Sequence, residues 1–405
     1  MERRGRGRGR ARGERNLGFH NRGRNPSSSS NKFASSSNTH SNKNNEESST
    51  ITSSIVGTCN DMCPVKERAQ RERLRDLSVF ERLDGNRGKT SPSLAVKKFC
   101  RTISTMDIQP SDVRPLQVLQ DTLFYLFRLL DSSEHPFELV HDFIFDRTRA
   151  IRQDISMQNI TSVQAIHMYE EMVKFHIVSQ YKLPKCSDDP NISSSHLNME
   201  QLSKCLLSLY DLYDASRKSN SINDNEAEFY SYYVLLHLDS ESQKMGESLS
   251  LWLRHLTTPV VKSKEMCFAR RMLRFFRMGN YKCFFSTIAA EASYLHYCLM
   301  EPLIHEVRLH AVTCINYAGY KLHPYPLEHL SKLLMMVESD MESLCNSCGF
   351  EISSDEAGNK LLPLKQTGSC RTKTGFQKYT FMGSERIQSL NDSFRMLQAS
   401  YHKDS

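Results

Sequence analysis

The chain has 405 residues, 39% of them hydrophobic and 24% charged, with a formal charge of +7 at neutral pH. That length and balance suit one large or two ordinary globular domains plus a tail. An Arg/Gly-rich start in place of the apolar core of a secretion signal, and no later apolar run of about 18 residues, exclude a secreted or membrane-spanning chain and predict a soluble intracellular one.

Residues 1–25 are Arg/Gly-rich and 26–54 Ser/Asn-rich, with too few large apolar side chains to offset ordering entropy, so 1–54 is predicted to be a disordered tail. Its first 24 residues hold nine arginines (Arg3, Arg4, Arg6, Arg8, Arg10, Arg12, Arg15, Arg22 and Arg24) against Glu2 and Glu14, and 9 − 2 = 7 accounts for the whole excess charge. Guanidinium groups on a chain that does not fold reach phosphates and stack on bases, which predicts salt-sensitive, non-specific RNA binding. A solvated basic tail or a nuclear-import address is the plain alternative.

The block Gly57-Thr-Cys-Asn-Asp-Met-Cys-Pro-Val-Lys-Glu-Arg68 opens the patterned part of the chain. Pro64 is placed to start a helix, with Val65, Ala69, Leu74, Leu77 and Phe80 as its expected apolar stripe and Gly85 to Gly88 as its end. Cys59 and Cys63 offer two thiolates, but no second Cys/His pair lies nearby at zinc spacing. The residues Cys59, Asp61, Met62, Cys63, Pro64, Glu67 and Arg68 therefore read as an anchor for the first helix, with direct partner contact as the alternative and no metal site. Twelve cysteines at irregular spacing predict buried reduced thiols, Cys345 and Cys348 included, and not a disulfide framework.

Asp112 and Pro115 announce a second helix, whose Leu116, Leu119, Leu123, Leu126 and Leu130 share one face. Pro136 starts a third, with Phe137, Val140, Ile144, Ile151 and Ile155 as the stripe and Arg147, Arg149 and Arg152 directed elsewhere. Arg147, Arg149, Arg152 and Asp154 are many charges for so apolar a helix, so they predict an inter-helix ion-pair network or a partner-contacting patch. His141-Asp142 echoes metal phosphohydrolases, but no companion His/Asp motif stands out; the pair is placed on the helix surface, with Asp142, Asp146, Arg149 and Arg152 at ion-pair spacing.

Thr161 or Ser162 can cap a helix running to about Tyr181, and 184–195 reads as a polar connector. Further helices are predicted at about 197–217, 224–239, 241–256, 262–278, 281–298 and 301–319. Long helices with short connectors and almost no β-type alternation before residue 350 predict an all-α fold, an α-solenoid of helix pairs over 55–322. After His323-Pro-Tyr-Pro326, a helix over Leu327, Leu330, Leu334 and Val337, a second capped by Ser339 or Asp340 and stopped by Gly349, and short apolar pieces at 350–352, 361–364 and 379–381 predict a winged-helix module at 323–381. In it Arg371, Lys373 and Lys378 around Gly375 read as a basic wing for RNA or as an ordinary lysine-rich loop. Residues 382–405 read as a marginal helix or tail. No Gly-rich phosphate loop or Ser/His/Asp arrangement appears, so neither catalysis nor a cofactor is expected.

Three segments carry a resemblance. The block at 57–68, the segment His141-Asp-Phe-Ile-Phe-Asp-Arg-Thr-Arg-Ala-Ile-Arg-Gln-Asp-Ile155 and Glu226-Ala-Glu-Phe-Tyr-Ser-Tyr-Tyr-Val-Leu-Leu236 stand in the order of motifs in the suppressor-of-actin/GANP family, helical scaffolds of messenger-RNA export. The chain resembles that family over roughly residues 55–350. The resemblance implies a PCI-like solenoid and winged helix, a nuclear non-catalytic scaffold linking transcription to the nuclear pore, and as partners a PCI-type protein, a small acidic proteasome-lid-type subunit and RNA. No membrane or small-molecule substrate is implied. Larger members carry Phe-Gly-type repeats ahead of the helical block and a long helix for centrin and small adaptors behind it; this sequence has neither, so pore anchoring through those partners is not expected of it. Short animal members are associated with the centrosome and spindle, which supplies the alternative of an assembly factor there. A subunit of a proteasome-lid or translation-initiation complex is another.

Overall fold

The computed structural model describes residues 55–102, 108–131, 134–186, 193–219, 221, 223–239, 249–367, 379, 381 and 382. The expectations for the tail at 1–54, for residues 383–405 and for Arg371, Lys373 and Lys378 lie outside the described residues. Among those described, thirteen α-helices carry the architecture and the strands are short and late, as the all-α reading expects.

Helix α1 (Val65–Leu74) follows Pro64, whose φ of −55° sets the first turn. The apolar stripe expected of it is not a core face. Val65 and Leu74 are 63% and 62% exposed, Ala69 is exposed, and the buried side chain is Arg71. The helix stops at Arg75, which enters the left-handed region at φ 54°, and two 3-10 turns at Val79–Glu81 and Leu83–Gly85 follow. Leu77 is therefore buried, and Phe80 half-buried, from outside the helix.

Helices α2 (Leu116–Arg128) and α3 (Phe137–Met157) obey the predicted spacing, burying Leu119, Leu123 and Leu126 on the one and Val140, Ile144, Ile151 and Ile155 on the other. Ser162 begins α4 (Val163–Cys186), its Oγ accepting from the Ala165 N–H at 3.3 Å. This helix continues beyond Tyr181 and through Pro184 instead of giving way to a connector there, and buried Leu183 holds the last turn inside. Next come α5 (Ser193–Lys218), α6 (Glu226–Leu236), α7 (Leu249–His255), α8 (Thr258–Lys262) and α9 (Lys264–Arg277). The helix expected at 241–256 is described from Leu249 on. Ser263 separates α8 from α9, its Oγ accepting from the Met266 N–H at 3.1 Å.

The boundary expected near residue 300 falls earlier. Helix α10 (Tyr281–Glu291) ends at Ala292, Ser293 caps α11 by accepting from the His296 N–H at 3.2 Å, and α11 (Tyr294–Ala318) runs unbroken through Pro302. A helix-interior proline costs about 3 kcal/mol. Burial on both sides of it, from Tyr294–Met300 and from Ile304, Ala311, Val312 and Ile315, outweighs that.

Successive helices pack on one another: α2 on α3, α3 on α4, α4 on α5, α6 on α9, α9 on α10 and α10 on α11. Helix α11 then returns against α4 and α6, so α4 is covered from several sides and the core gathers around Met172, Val173, Phe175 and Ile177. Beyond α11 stand β1 (Tyr325–Pro326), α12 (Leu327–Leu333), α13 (Glu338–Ser347), β2 (Ser353–Ser354) and β3 (Lys360–Leu362). Strand β3 is central and antiparallel to both others, with Tyr325 opposite Leu362 and Ser353 opposite Leu361. Val337, expected to close the α12 stripe, is instead the N-cap of α13 and 44% exposed, because Met335 at φ 52° turns the chain first. Ser339 and Asp340 lie inside the first turn of α13 and do not cap it. Buried Arg308 of α11 donates to the carbonyls of Leu334 (3.2 Å) and Met335 (2.9 Å), filling acceptors at the end of α12. Among the described residues no helix is long and apolar enough to cross a membrane.

Candidate functional site

The segment that opens the described chain is held by its backbone. The Thr58 and Cys59 N–H groups donate to the carbonyls of Pro110 (2.8 Å) and Val113 (3.0 Å), and the Lys97 N–H donates to the Met62 carbonyl at 2.9 Å. Gln158, just past α3, accepts from the Gly57 N–H at 2.9 Å and donates through Nε2 to the carbonyls of Arg114 and Asp154, both at 2.9 Å. Residue 57 has to be glycine for lack of room: a Cβ there would stand 2.6 Å from the Val113 oxygen and 2.9 Å from the Arg114 carbonyl carbon. Gly57→Ala should therefore lower stability by about 1–3 kcal/mol, read as a drop in thermal midpoint with unchanged helical circular dichroism.

Beneath this strap lie two carboxylates with almost no exposure, each served by two cations. Glu81 accepts from Arg147 Nη2 at 3.0 Å, from Arg71 in a closer contact, and from the Ser78 and Val96 N–H groups, both at 3.0 Å. Asp154 accepts from Lys97 Nζ at 2.6 Å and Arg114 Nε at 2.7 Å. All six side chains are 6% exposed or less. Burial alone would raise the Glu81 carboxyl, but Arg147 and Arg71 hold it below the usual carboxylate range. Arg71 of α1 and Arg147 of α3 thus share one acceptor, and that bond replaces the apolar contact α1 was expected to make.

Of the residues singled out in the sequence, Arg147 and Asp154 enter this network, while Asp61 pairs with Arg68 at 2.7 Å near the surface. Glu67 accepts from the Lys98 N–H at 2.7 Å. Met62 contributes its carbonyl, which also takes Arg114 Nη1 at 3.3 Å. Arg149 lies over the Phe99 ring at 3.9 Å and Arg152 donates to Gln201 at 2.7 Å, so these two brace neighbouring segments, and among the described residues neither pairs with a carboxylate. Asp146 pairs with Arg147 and not with Arg149. Cys59 and Cys63 are buried, and burial pushes the Cys63 thiol up to about 12. Cys345 and Cys348 are buried too. Among the described residues no cluster of three or more His, Cys, Asp and Glu is placed to hold a metal ion.

Sequence reasoning missed Arg71, Glu81, Lys97 and Arg114. A signal existed for two of them: Lys97 follows the run Leu94-Ala95-Val96, and Arg114 stands between Val113 and Pro115, cations beside apolar neighbours that call for a counter-charge where the segment is buried. His141, expected on the surface, is 1% exposed. Its ring stacks on Phe175 at 5.7 Å and its Nε2 lies 3.4 Å from Asn198 Oδ1, which also accepts from His176 Nδ1 at 2.8 Å. Burial pushes the His176 imidazole down to about 3, and does the same to His296, 3.0 Å from Ser231 Oγ, down to about 4.

Comparison with known proteins places this arrangement. A model of the SAC3/GANP family matches residues 62–354, from the strap to the end of β2. The chain is 38% identical over 313 residues to SAC3 family protein B of Arabidopsis thaliana, covering 76% of this chain and 18% of that protein. It is 30% identical over 325 residues to SAC3 family protein 1 of Schizosaccharomyces pombe, covering 75% and 31%, and 28% identical over 357 residues to Protein xmas of Drosophila melanogaster, covering 84% and 17%. It spans less than a third of the length of each of these curated relatives. With the matched span holding both buried carboxylates and the packed helices that carry them, the chain belongs to the SAC3/GANP family.

Proposed function

We propose that the chain is a non-catalytic scaffold subunit of the nuclear complex that couples transcription to messenger-RNA export. The observation that carries this reading is the fate of the motif residues. Arg147, Asp154 and the residues around Cys59 and Cys63 are taken up in buried contacts that hold segments together. Family membership supports the export role. The order strand, helix, helix, strand, strand after α11 supports a winged helix, through which a PCI-type protein and a small acidic proteasome-lid-type subunit would dock. RNA is the further partner, met by the nine tail arginines and by Arg371, Lys373 and Lys378, with the nucleus and the pore as the place of action.

Affinity purification of the full chain from nuclear extract tests this reading. Stoichiometric recovery of a PCI-type protein together with a small acidic subunit is the expected result. Recovery of tubulin-organising components in their place would overturn it in favour of a centrosome or spindle role.

A further inference from the structure

The zero net charge of residues 25–405, which follows from 7 − 7 = 0, hides a strongly cationic stretch. Between residues 262 and 282 there are seven lysines and arginines and one acid, Glu265, a local balance of +6. Most of it lies on α9. That helix buries Met266, Phe268, Ala269, Met272 and Leu273, and turns Arg270, Arg274 and Arg277 outward. Positions 270, 274 and 277 recur at i, i+4 and i+7, so they form one row about 10 Å long. Arg271, beside the row, pairs with Glu291, whereas among the described residues no carboxylate pairs with Arg270, Arg274 or Arg277. A cationic row left unpaired by its own fold is set up for a polyanion.

A second observation at the same corner narrows the class of polyanion. After Arg277 the chain turns at Gly279, φ 62°, and Asn280 caps α10 by accepting from the Cys283 N–H at 3.1 Å. A cavity of about 210 Å³ opens there, lined by Phe275, Phe276, Tyr281, Phe284 and His310 among others. It has room for one nucleobase, and its walls are mostly aromatic. An acidic peptide would use the arginines and leave the aromatic cavity without purpose. Single-stranded RNA uses both, with phosphates along the row and a base in the cavity.

We infer that the α9 arginine row and the adjoining aromatic cavity form a single-stranded RNA contact surface on the helical body, separate from the tail and the wing. The inference rests on the reading of the chain as an RNA-export scaffold and adds a site that reading does not contain. Phosphate contacts on single strands each add about 0.7 to the dependence of log affinity on log salt, so three such contacts contribute about two decades at 0.1 M salt.

The test uses fluorescence anisotropy with a labelled oligouridine of about 12 nucleotides, on the full chain and on a full chain whose nine tail arginines are alanine. In both, the triple change Arg270→Ala, Arg274→Ala, Arg277→Ala should weaken binding roughly 100-fold at 0.1 M salt and flatten the salt slope by about 2. Phe275→Leu should weaken it about five- to hundredfold with the slope unchanged, since stacking carries no counterion release. The arginines are exposed, so the triple variant should keep its thermal midpoint. Unchanged affinity and slope in the triple variant would overturn the site while leaving tail-borne RNA binding intact. Absence of RNA binding by the unaltered chain would overturn the site and the RNA part of the functional reading together. Equal competition by poly-aspartate of the same charge, with Phe275→Leu silent, would reassign the surface to an acidic protein partner.

Discussion

Asp154→Ala is expected to destabilise the protein by about 3–5 kcal/mol, since it leaves two buried cations without their counter-charge. Asp154 is wholly buried, and so is Arg114; Lys97 is 5% exposed on its side chain. At about 2–4 °C per kcal/mol for a body of this size, the thermal midpoint should fall by about 6–20 °C. The loss should not be read as the net value of the ion pairs, because replacing a whole buried group with apolar side chains is often neutral. The triple change Asp154→Leu, Lys97→Met, Arg114→Met is therefore expected to recover most of the stability that Asp154→Ala removes. A midpoint shift below about 2 °C for the single variant would show that the pair is hydrated and the network dispensable.

The second large effect is acid lability well above the carboxylate range. Burial holds the His176 imidazole at about 3 and the His296 imidazole at about 4, against an ordinary 6.5. Arg152, His141 and Arg149 add to the lowering at His176. Between about pH 6.5 and pH 4 the unfolded chain binds a proton at each position that the folded chain refuses, so stability is full above 6.5 and falls as pH falls. Each position contributes about 1.4 kcal/mol per pH unit, which by about pH 4.5 amounts to roughly 5 kcal/mol for the two together. That is comparable to the whole stability of many domains. Glu171, whose carboxyl burial raises, acts in the opposite sense over the lower part of the window. Urea unfolding at several pH values should give a slope near two protons in this interval, and His176→Gln should bring it to one. A profile flat from about pH 6.5 to 4.5 would mean that both rings are protonated in the native state.

The sequence made some of this legible because helical period is a local property. The leucines of α2 and the isoleucines of α3 repeat on the helical spacing and are buried where that spacing predicts. The failures have non-local causes. The stripe on α1 was real as a pattern, but what covers a face depends on partners elsewhere, and here the partner is a carboxylate that selects Arg71. Glu81 meets Arg147 from 66 positions away, Lys97 meets Asp154 from 57 and Arg114 from 40, and no window of local pattern spans such gaps. Pro302 reads as a helix boundary by propensity alone, and tertiary burial overrides it. The arginine row of α9 was obscured by addition, since a neutral sum over 381 residues conceals a cationic face balanced by acids on other elements.

The strap at Gly57 has a consequence for how the protein is made. Its acceptor on Gln158 lies 101 positions downstream, and the counter-charge for Lys97 and the second cation for Glu81 arrive on α3, the helix just before it. During synthesis at about 5–20 residues per second, the first part of the body to leave the ribosome waits roughly 5–20 s for the residues that close over it. For that interval Cys59 and Cys63, buried in the finished protein, are open to solvent and to oxidants. Any oxidation of these thiols during synthesis would report the time to closure: a pause between codons 97 and 158 would lengthen the exposure, and faster elongation would shorten it.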